Sequence, residues 1–226
     1  MSTPGRPKGE YRSAQHEGTP MSTPGRPKGE FASLQGSISA IVLGASAGGI
    51  EVLSVLLAAL PAELPVAVLA VLHLPRDRPS LLVEIFARKC ALPVQEAQDK
   101  EHIRPGHVYF APADYHLLVD AGPIVSLSVD APVNFSRPSI DVLFESAADV
   151  YRERLLGIVL TGASQDGAAG LAAIHRLGGR TVVQDPASAL VPLMPEAARR
   201  RSPVDFVLPL ERIADLLQAL NPGGAT

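Results

Sequence analysis

The chain has 226 residues, of which 46% are hydrophobic and 19% are charged, with a net charge of −3 and an isoelectric point near 6.1. This length fits one domain with a sizeable core, and the charge balance excludes the clustered basic surface that nucleic-acid-binding proteins usually carry. No apolar run reaches the ~18 residues that span a bilayer and the amino terminus lacks the apolar core of a signal peptide, so we expect no membrane insertion and a cytoplasmic location.

The first 36 residues are rich in Gly, Pro, Ser and Thr, and the decapeptide at 1–10 recurs unchanged at 21–30. Such a segment has too little apolar surface to offset the entropy lost on ordering. We therefore predict a disordered tail over 1–36, one folded domain over 37–221 and a frayed tail over 222–226.

Within the domain, short aliphatic runs alternate with helical patterns. Strands are predicted at residues 39–43, 66–72, 94–97, 108–111, 117–120, 124–129, 156–160, 181–184 and 206–208. Helices are predicted at residues 50–60, 79–89, 139–152, 167–177, 195–200 and 211–220. The alternation predicts a doubly wound α/β fold, with a mostly parallel sheet and helices on both faces. Strands follow one another without helices over about 94–130, which predicts an antiparallel hairpin or meander insertion there.

The first predicted strand ends in Gly44-Ala45-Ser46-Ala47-Gly48-Gly49. A strand that turns into a helix over glycines exposes the turn serine at the carboxyl end of a sheet, as in the G-x-S-x-G turn of hydrolases. Ser46 is therefore the candidate nucleophile, and Gly44, Gly48 and Gly49 form its turn. The alternative is that Ser46 merely caps the helix.

A serine nucleophile needs a base within hydrogen-bond reach and usually a carboxylate to orient that base. His73 directly follows the strand predicted at 66–72, and Asp166 follows the strand predicted at 156–160. Because the carboxyl ends of parallel strands meet at one edge of a sheet, we predict that Ser46, His73 and Asp166 form a catalytic triad.

Other assignments are weaker. His116 is the rival base, and Ser164 is a rival nucleophile that we assign to loop structure. A dinucleotide-binding turn would require glycine in place of Ser46 and an acidic residue in place of His73, so the sequence disfavours a dinucleotide site. No HExxH motif or paired Cys/His spacing occurs, so neither a metal nor a cofactor is expected.

Five segments in unbroken order resemble the catalytic domain of the CheB family of bacterial chemotaxis methylesterases. They are GASAGG at 44–49, HLP at 73–75, PGHVYFAP at 105–112, RPSIDVLF at 137–144 and LTGASQDGAAG at 160–170. The resemblance implies a doubly wound α/β fold and hydrolysis of glutamate methyl esters on chemoreceptor signalling helices, often with glutamine deamidation. It also places the family's serine, histidine and aspartate on Ser46, His73 and Asp166.

On this resemblance, the backbone N–H groups of Ala47 and Ala163 would form the oxyanion hole, although family members commonly have Thr and Met at these two positions. Methyl-accepting chemoreceptors would be the substrate partners, and a receiver protein or a methyltransferase would be a candidate partner in trans. Many relatives carry an amino-terminal receiver domain, which 35 disordered residues cannot replace, so we expect no phosphorylation gating in cis. The alternatives are a catalytically weak module that docks on receptors or a kinase, and an esterase for small molecules.

Overall fold

The computed structural model describes Met1, residues 31–74 and residues 81–221. The predictions for residues 2–30, for the first residues of the helix at 79–89 and for 222–226 fall outside these ranges. The packed domain begins earlier than the predicted residue 37, because a short 3₁₀ helix at Ala32–Leu34 precedes the first strand and Phe31 and Leu34 are buried in the core. Apolar side chains at these two positions bury enough surface to order the segment.

The main sheet has seven strands in the order β3-β4-β2-β1-β7-β8-β9, and every pairing in it is parallel. Its strands are β1 (Ala40–Ala45), β2 (Ala67–Leu72), β3 (Val94–Glu96), β4 (Val108–Phe110), β7 (Leu155–Val159), β8 (Arg180–Gln184) and β9 (Phe206–Leu208). The predicted doubly wound, mostly parallel sheet is confirmed.

The antiparallel part is a separate two-stranded sheet, formed by β5 (His116–Asp120) and β6 (Ile124–Ser128). It is shorter than the predicted insertion at 94–130, because β3 and β4 pair with each other in parallel at the edge of the main sheet. Residues 97–107 return the chain to the start of the next strand without a helix, and about a dozen residues suffice for such a crossover.

Helices cover both faces of the main sheet. They are α1 (Gly49–Ala58), α2 (Leu82–Ala87), α3 (Ile140–Tyr151), α4 (Ala168–Arg176), α5 (Leu193–Arg201) and α6 (Leu210–Ala219). Alternate residues of β1 separate the two cores, since Ile41 and Leu43 pack with α1, α2 and α6, whereas Ala40 and Val42 pack with α3, α4, α5 and the β5–β6 hairpin. Within the described ranges, no helix has the length and apolar composition needed to cross a membrane.

The direction of winding reverses beside β1. The chain passes from β1 through α1 to β2 on one side, and it returns much later as β7 on the other side. Open α/β sheets bind ligands in the crevice that such a reversal creates beyond the carboxyl ends of the strands. Ser46 is the first residue after β1 and therefore lies at this point.

Candidate active site

Ser46 lies in a tight turn between β1 and α1. Its N–H donates to the Thr161 carbonyl oxygen at 3.0 Å, and its carbonyl oxygen accepts from the Gly49 N–H at 2.8 Å. The residue that caps α1 is Gly48, and no side chain caps this helix. The half-buried Ser46 hydroxyl is therefore not used as a helix cap, which was the alternative reading of the sequence.

The glycines around Ser46 let neighbouring segments approach closely. Gly48 has a φ of 77°, in the left-handed region that favours glycine. A side chain at Gly44 would collide with Ile140, and one at Gly49 would collide with Leu72. A Cβ at Gly162 would lie 2.9 Å from that of Ser46, so the loop after β7 runs against the serine.

His73 stands beside Ser46 on the neighbouring strand end. Ala45 pairs with Leu72 in the parallel register of β1 and β2, so the residues that follow these two are adjacent. The His73 N–H donates to the Ala45 carbonyl oxygen at 3.1 Å, and its side chain is 13% exposed. Its Nε2 lies 2.9 Å from Oδ2 of Asp166.

The Asp166 carboxylate is fully buried and receives hydrogen bonds from five groups. Besides the His73 ring, the donors are the Ser139 hydroxyl (2.8 Å), the Asn134 amide (3.1 Å) and the backbone N–H groups of Ile140 (2.6 Å) and Asp141 (3.1 Å). The two backbone donors belong to the first turn of α3, where free N–H groups and the helix dipole favour negative charge. Asp166 does not cap its own helix, because the cap of α4 is Gly167.

Burial of Asp166 raises its pKa, but the hydrogen bonds from His73, Ile140, Asn134 and Ser139 outweigh burial and hold the pKa below its ordinary value. The carboxylate is therefore charged at neutral pH. A buried anion within hydrogen-bond distance of His73 fixes the orientation of the imidazole.

A second buried carboxylate, Asp141, shares this network. Asn134 donates from its amide nitrogen to both Asp141 (2.8 Å) and Asp166 (3.1 Å), and the Gly170 N–H donates to Asp141 at 2.7 Å. Burial raises the pKa of Asp141 to about 6, with a further contribution from the negative charge of Asp166. The sequence analysis missed both residues, although Asp141 lies in the RPSIDVLF segment. Nothing in the local sequence marks Asn134.

The rival base His116 and the rival nucleophile Ser164 both have structural roles. His116 is buried, with its Nε2 3.2 Å from the Ala131 carbonyl oxygen and its Nδ1 accepting from the Ser139 N–H at 3.2 Å. Both ring nitrogens thus contact backbone groups. The Ser164 hydroxyl accepts from the Asp166 N–H at 3.2 Å and so stabilises the loop.

Three groups at this rim keep unused hydrogen-bonding capacity. Among the described residues, the Ser46 hydroxyl makes no hydrogen bond to His73, and the N–H groups of Ala47 and Ala163 have no acceptor. Ala47 and Ala163 are both exposed at the surface around Ser46. Beside the His73 imidazole, the rim therefore offers a hydroxyl and two free backbone donors to a ligand.

Comparisons with known proteins show the family to which this fold belongs. The family model described as CheB methylesterase matches residues 41–217. A relative from Leptospira interrogans is 45% identical over 182 residues, which is 80% of this chain and 94% of the relative. A Bordetella parapertussis protein named protein-glutamate methylesterase/protein-glutamine glutaminase is 41% identical over 179 residues, and the chain spans 51% of its length.

Among solved structures, the crystal structure of the Thermotoga maritima CheB methylesterase catalytic domain matches with a TM-score of 0.77 and 30% sequence identity. The match covers 81% of this chain and 99% of the other. Fold and relatives together define the class, a carboxylic ester hydrolase built on a doubly wound α/β sheet. The chain belongs to the CheB methylesterase family.

Proposed function

We propose that this protein is a protein-glutamate methylesterase that hydrolyses glutamate methyl esters on the cytoplasmic signalling helices of chemoreceptors, and that it also deamidates receptor glutamines. The observation that carries the proposal is the His73–Asp166 contact of 2.9 Å directly beside Ser46, at the switch point of a CheB-family fold. Methyl-accepting chemoreceptors are the proposed partners, and a receiver protein or a methyltransferase is a further candidate partner in trans.

In the first half of the reaction, Ser46 is the nucleophile and His73 the general base. Because Nε2 of His73 faces Asp166, its Nδ1 is the nitrogen that accepts the Ser46 proton as Oγ attacks the ester carbonyl. The oxyanion that forms is stabilised by the Ala47 and Ala163 N–H groups, and each such donor is typically worth about 3 kcal/mol. The tetrahedral intermediate collapses, and His73 gives its proton to the departing methoxide, which leaves as methanol.

In the second half, water hydrolyses the glutamyl ester of Ser46. His73 removes a proton from the water, the hydroxide attacks the same carbonyl carbon, and the proton returns to Ser46 Oγ as the glutamate carboxylate is released. With a glutamine side chain the same steps release ammonia in place of methanol. Asp166 stays ionised throughout and stabilises the His73 imidazolium.

The test is methanol release from methylated receptor membranes by the wild type, Ser46→Ala and Ser54→Ala. Ser54 lies on α1 and its hydroxyl accepts from Lys89, so it controls for the loss of a hydroxyl outside the site. We expect Ser46→Ala to lose several orders of magnitude in kcat and Ser54→Ala to match the wild type.

Two results would contradict the proposal. Equally low methanol release by the wild type and Ser46→Ala would show that Ser46 is not a nucleophile and would favour a binding module that docks on receptors or a kinase. Rapid turnover of simple esters without methanol release from receptor membranes would favour a small-molecule esterase.

A further inference from the structure

A cavity of about 420 Å³ opens beside the loop that carries Asp166. Its walls include Asn134, Phe135, Ala163, Leu193 and Arg200. Two of these residues belong to the surroundings of the site, since Asn134 bonds Asp166 and Ala163 is a proposed oxyanion donor. A substrate segment that extends from Ser46 past Ala163 would therefore enter this cavity.

One wall of the cavity is a tight turn at residues 133–136. Val133 and Ser136 exchange two backbone hydrogen bonds of 3.1 and 2.9 Å, and Asn134 and Phe135 between them have φ values of 49° and 63°. This backbone, with both central residues left-handed, resembles a type I′ turn. Asn134 points inward to the carboxylates, whereas Phe135 is 99% exposed.

The opposite wall is α5, which brings apolar surface and positive charge. Leu193, at its start, is 44% exposed. Arg199, Arg200 and Arg201 are exposed in its last turn, within a chain whose net charge is −3. Arginines at this end suit the helix dipole. Arg200 also forms an exposed ion pair with Glu196, one turn earlier, at 3.3 Å. Because exposed pairs of this kind contribute little to stability, the guanidinium of Arg200, which lines the cavity, can exchange Glu196 for a ligand carboxylate.

We propose that this cavity binds the helical segment of the substrate next to the ester, and that Arg200 determines specificity by pairing with a glutamate carboxylate of that segment. The inference rests on the proposed function. Each turnover converts an uncharged ester into a carboxylate, so a helix that carries several such glutamates is acidic wherever they are not methylated. A guanidinium matches a carboxylate in charge and geometry. Phe135 and Leu193 supply the apolar contact that an amphipathic helix needs.

The test compares Arg200→Glu and Arg200→Lys with the control Arg176→Glu. Arg176 is exposed in the last turn of α4, so it matches Arg200 in residue type and helix position, but it does not line this cavity. For each variant, kcat and KM are measured for methanol release from methylated receptor membranes. Hydrolysis of p-nitrophenyl acetate, a small uncharged ester, reports the reacting groups alone.

We expect Arg200→Glu to raise KM for receptor membranes about tenfold with little change in kcat, because a rim charge acts mainly on association. Arg200→Lys should stay within about threefold of the wild type, and Arg176→Glu should match the wild type. The Arg200→Glu defect should shrink as salt rises from about 0.05 to 0.5 M, because screening weakens pairing between partly exposed charges. Hydrolysis of p-nitrophenyl acetate should be unchanged in all three variants.

A second variant tests the apolar wall independently of charge. Phe135→Ala should raise KM for receptor membranes several-fold at every salt concentration. Equal KM values for Arg200→Glu and Arg176→Glu, or an equal loss of Arg200→Glu activity on p-nitrophenyl acetate, would overturn this inference while leaving the proposed function intact. A wild type that releases no methanol from receptor membranes would overturn the proposed function and this inference with it.

Discussion

The loops after β1 and β7 carry polar groups with unused hydrogen-bonding capacity, whereas the polar groups of the segment at 134–141 are fully engaged. In the loops, the Ser46 hydroxyl and the Ala47 and Ala163 N–H groups find no protein acceptor among the described residues. In the segment at 134–141, the Asn134 amide bridges two carboxylates, and the Ser139 hydroxyl and two backbone N–H groups bond Asp166.

On the proposed mechanism, this difference separates the groups that react from the groups that hold them in place. A nucleophile and an oxyanion hole must keep free capacity for the substrate, whereas a buried carboxylate must be fully hydrogen-bonded to stay charged. The segment at 134–141 therefore keeps Asp166 charged and in position, and Asp166 in turn positions the His73 ring. Substitutions in the two regions should have different consequences.

The largest effect is expected from Asp166→Asn. An amide in place of the carboxylate removes the charge that, in the proposed mechanism, stabilises the His73 imidazolium. Because both carboxylate oxygens accept hydrogen bonds, the amide NH2 group would face a hydrogen-bond donor in either orientation. We expect kcat for methanol release to fall by roughly 10⁴-fold, the loss typical of triads whose acid becomes an amide.

The matched control is Asp205→Asn. Asp205 also accepts several hydrogen bonds, from Thr181 and Arg180, and its pKa is also lowered, since these bonds outweigh the effect of burial. It lies outside the site, so its loss should lower the free energy of unfolding while kcat per folded molecule stays near the wild-type value. Equal losses of kcat in the two variants would show that Asp166 has only a structural role.

The second prediction concerns stability and pH. The pKa of Asp141 is about 6 in the folded protein because burial raises it from its ordinary value of 3.8. Its contribution to the free energy of unfolding is therefore fully present below pH 3.8 and is lost as pH rises through about 6. At 1.36 kcal/mol for each pH unit, the loss approaches roughly 3 kcal/mol.

Urea denaturation at pH 4, 5, 6 and 7 measures this loss in the wild type and in Asp141→Asn. Asp166 and Asp205 have lowered pKa values, so their contributions are essentially complete from pH 5 to 7 and begin to decrease only near pH 4, which is opposite in direction to the effect of Asp141. We expect the free energy of unfolding to fall with pH in the wild type and to change much less in the variant. Parallel profiles would show that Asp141 does not titrate in this range.

The smallest of the three effects is expected from Asn134→Ala. Losing one amide leaves Asp141 and Asp166 without their shared donor. This raises the pKa of both carboxyl groups and weakens the positioning of the His73 ring by Asp166. We expect kcat to fall about tenfold, or ~1.4 kcal/mol. Gln95→Ala removes an amide bonded to Glu101 and should leave kcat unchanged, so the idea fails if the two variants behave alike.

Much of the fold could be predicted from the sequence because long aliphatic runs mark buried parallel strands. The runs at β1, β2 and β7 are fully buried. Ser46 and His73 directly follow the first two, and Asp166 lies in the loop after the third. β3 and β4 were harder to place, since each has three residues and the loop between them has no helix. Neither feature distinguishes parallel from antiparallel pairing.

The candidate site was also only partly predictable from the sequence. Ser46, His73 and Asp166 follow strand ends, so topology alone places them together. Asn134 reaches the carboxylates only because the turn at 133–136 adopts left-handed backbone angles and lies against α3. That contact depends on tertiary packing, which no local pattern shows.

The most direct test of the central claim, that His73 and Asp166 activate the Ser46 hydroxyl, is labelling with a fluorophosphonate followed by peptide mass spectrometry. This reagent forms a covalent adduct with serines activated as nucleophiles. We predict one adduct, on Ser46, in the wild type and in His116→Gln, and none in His73→Gln. An adduct on Ser164, or labelling of Ser46 that persists in His73→Gln, would contradict the account.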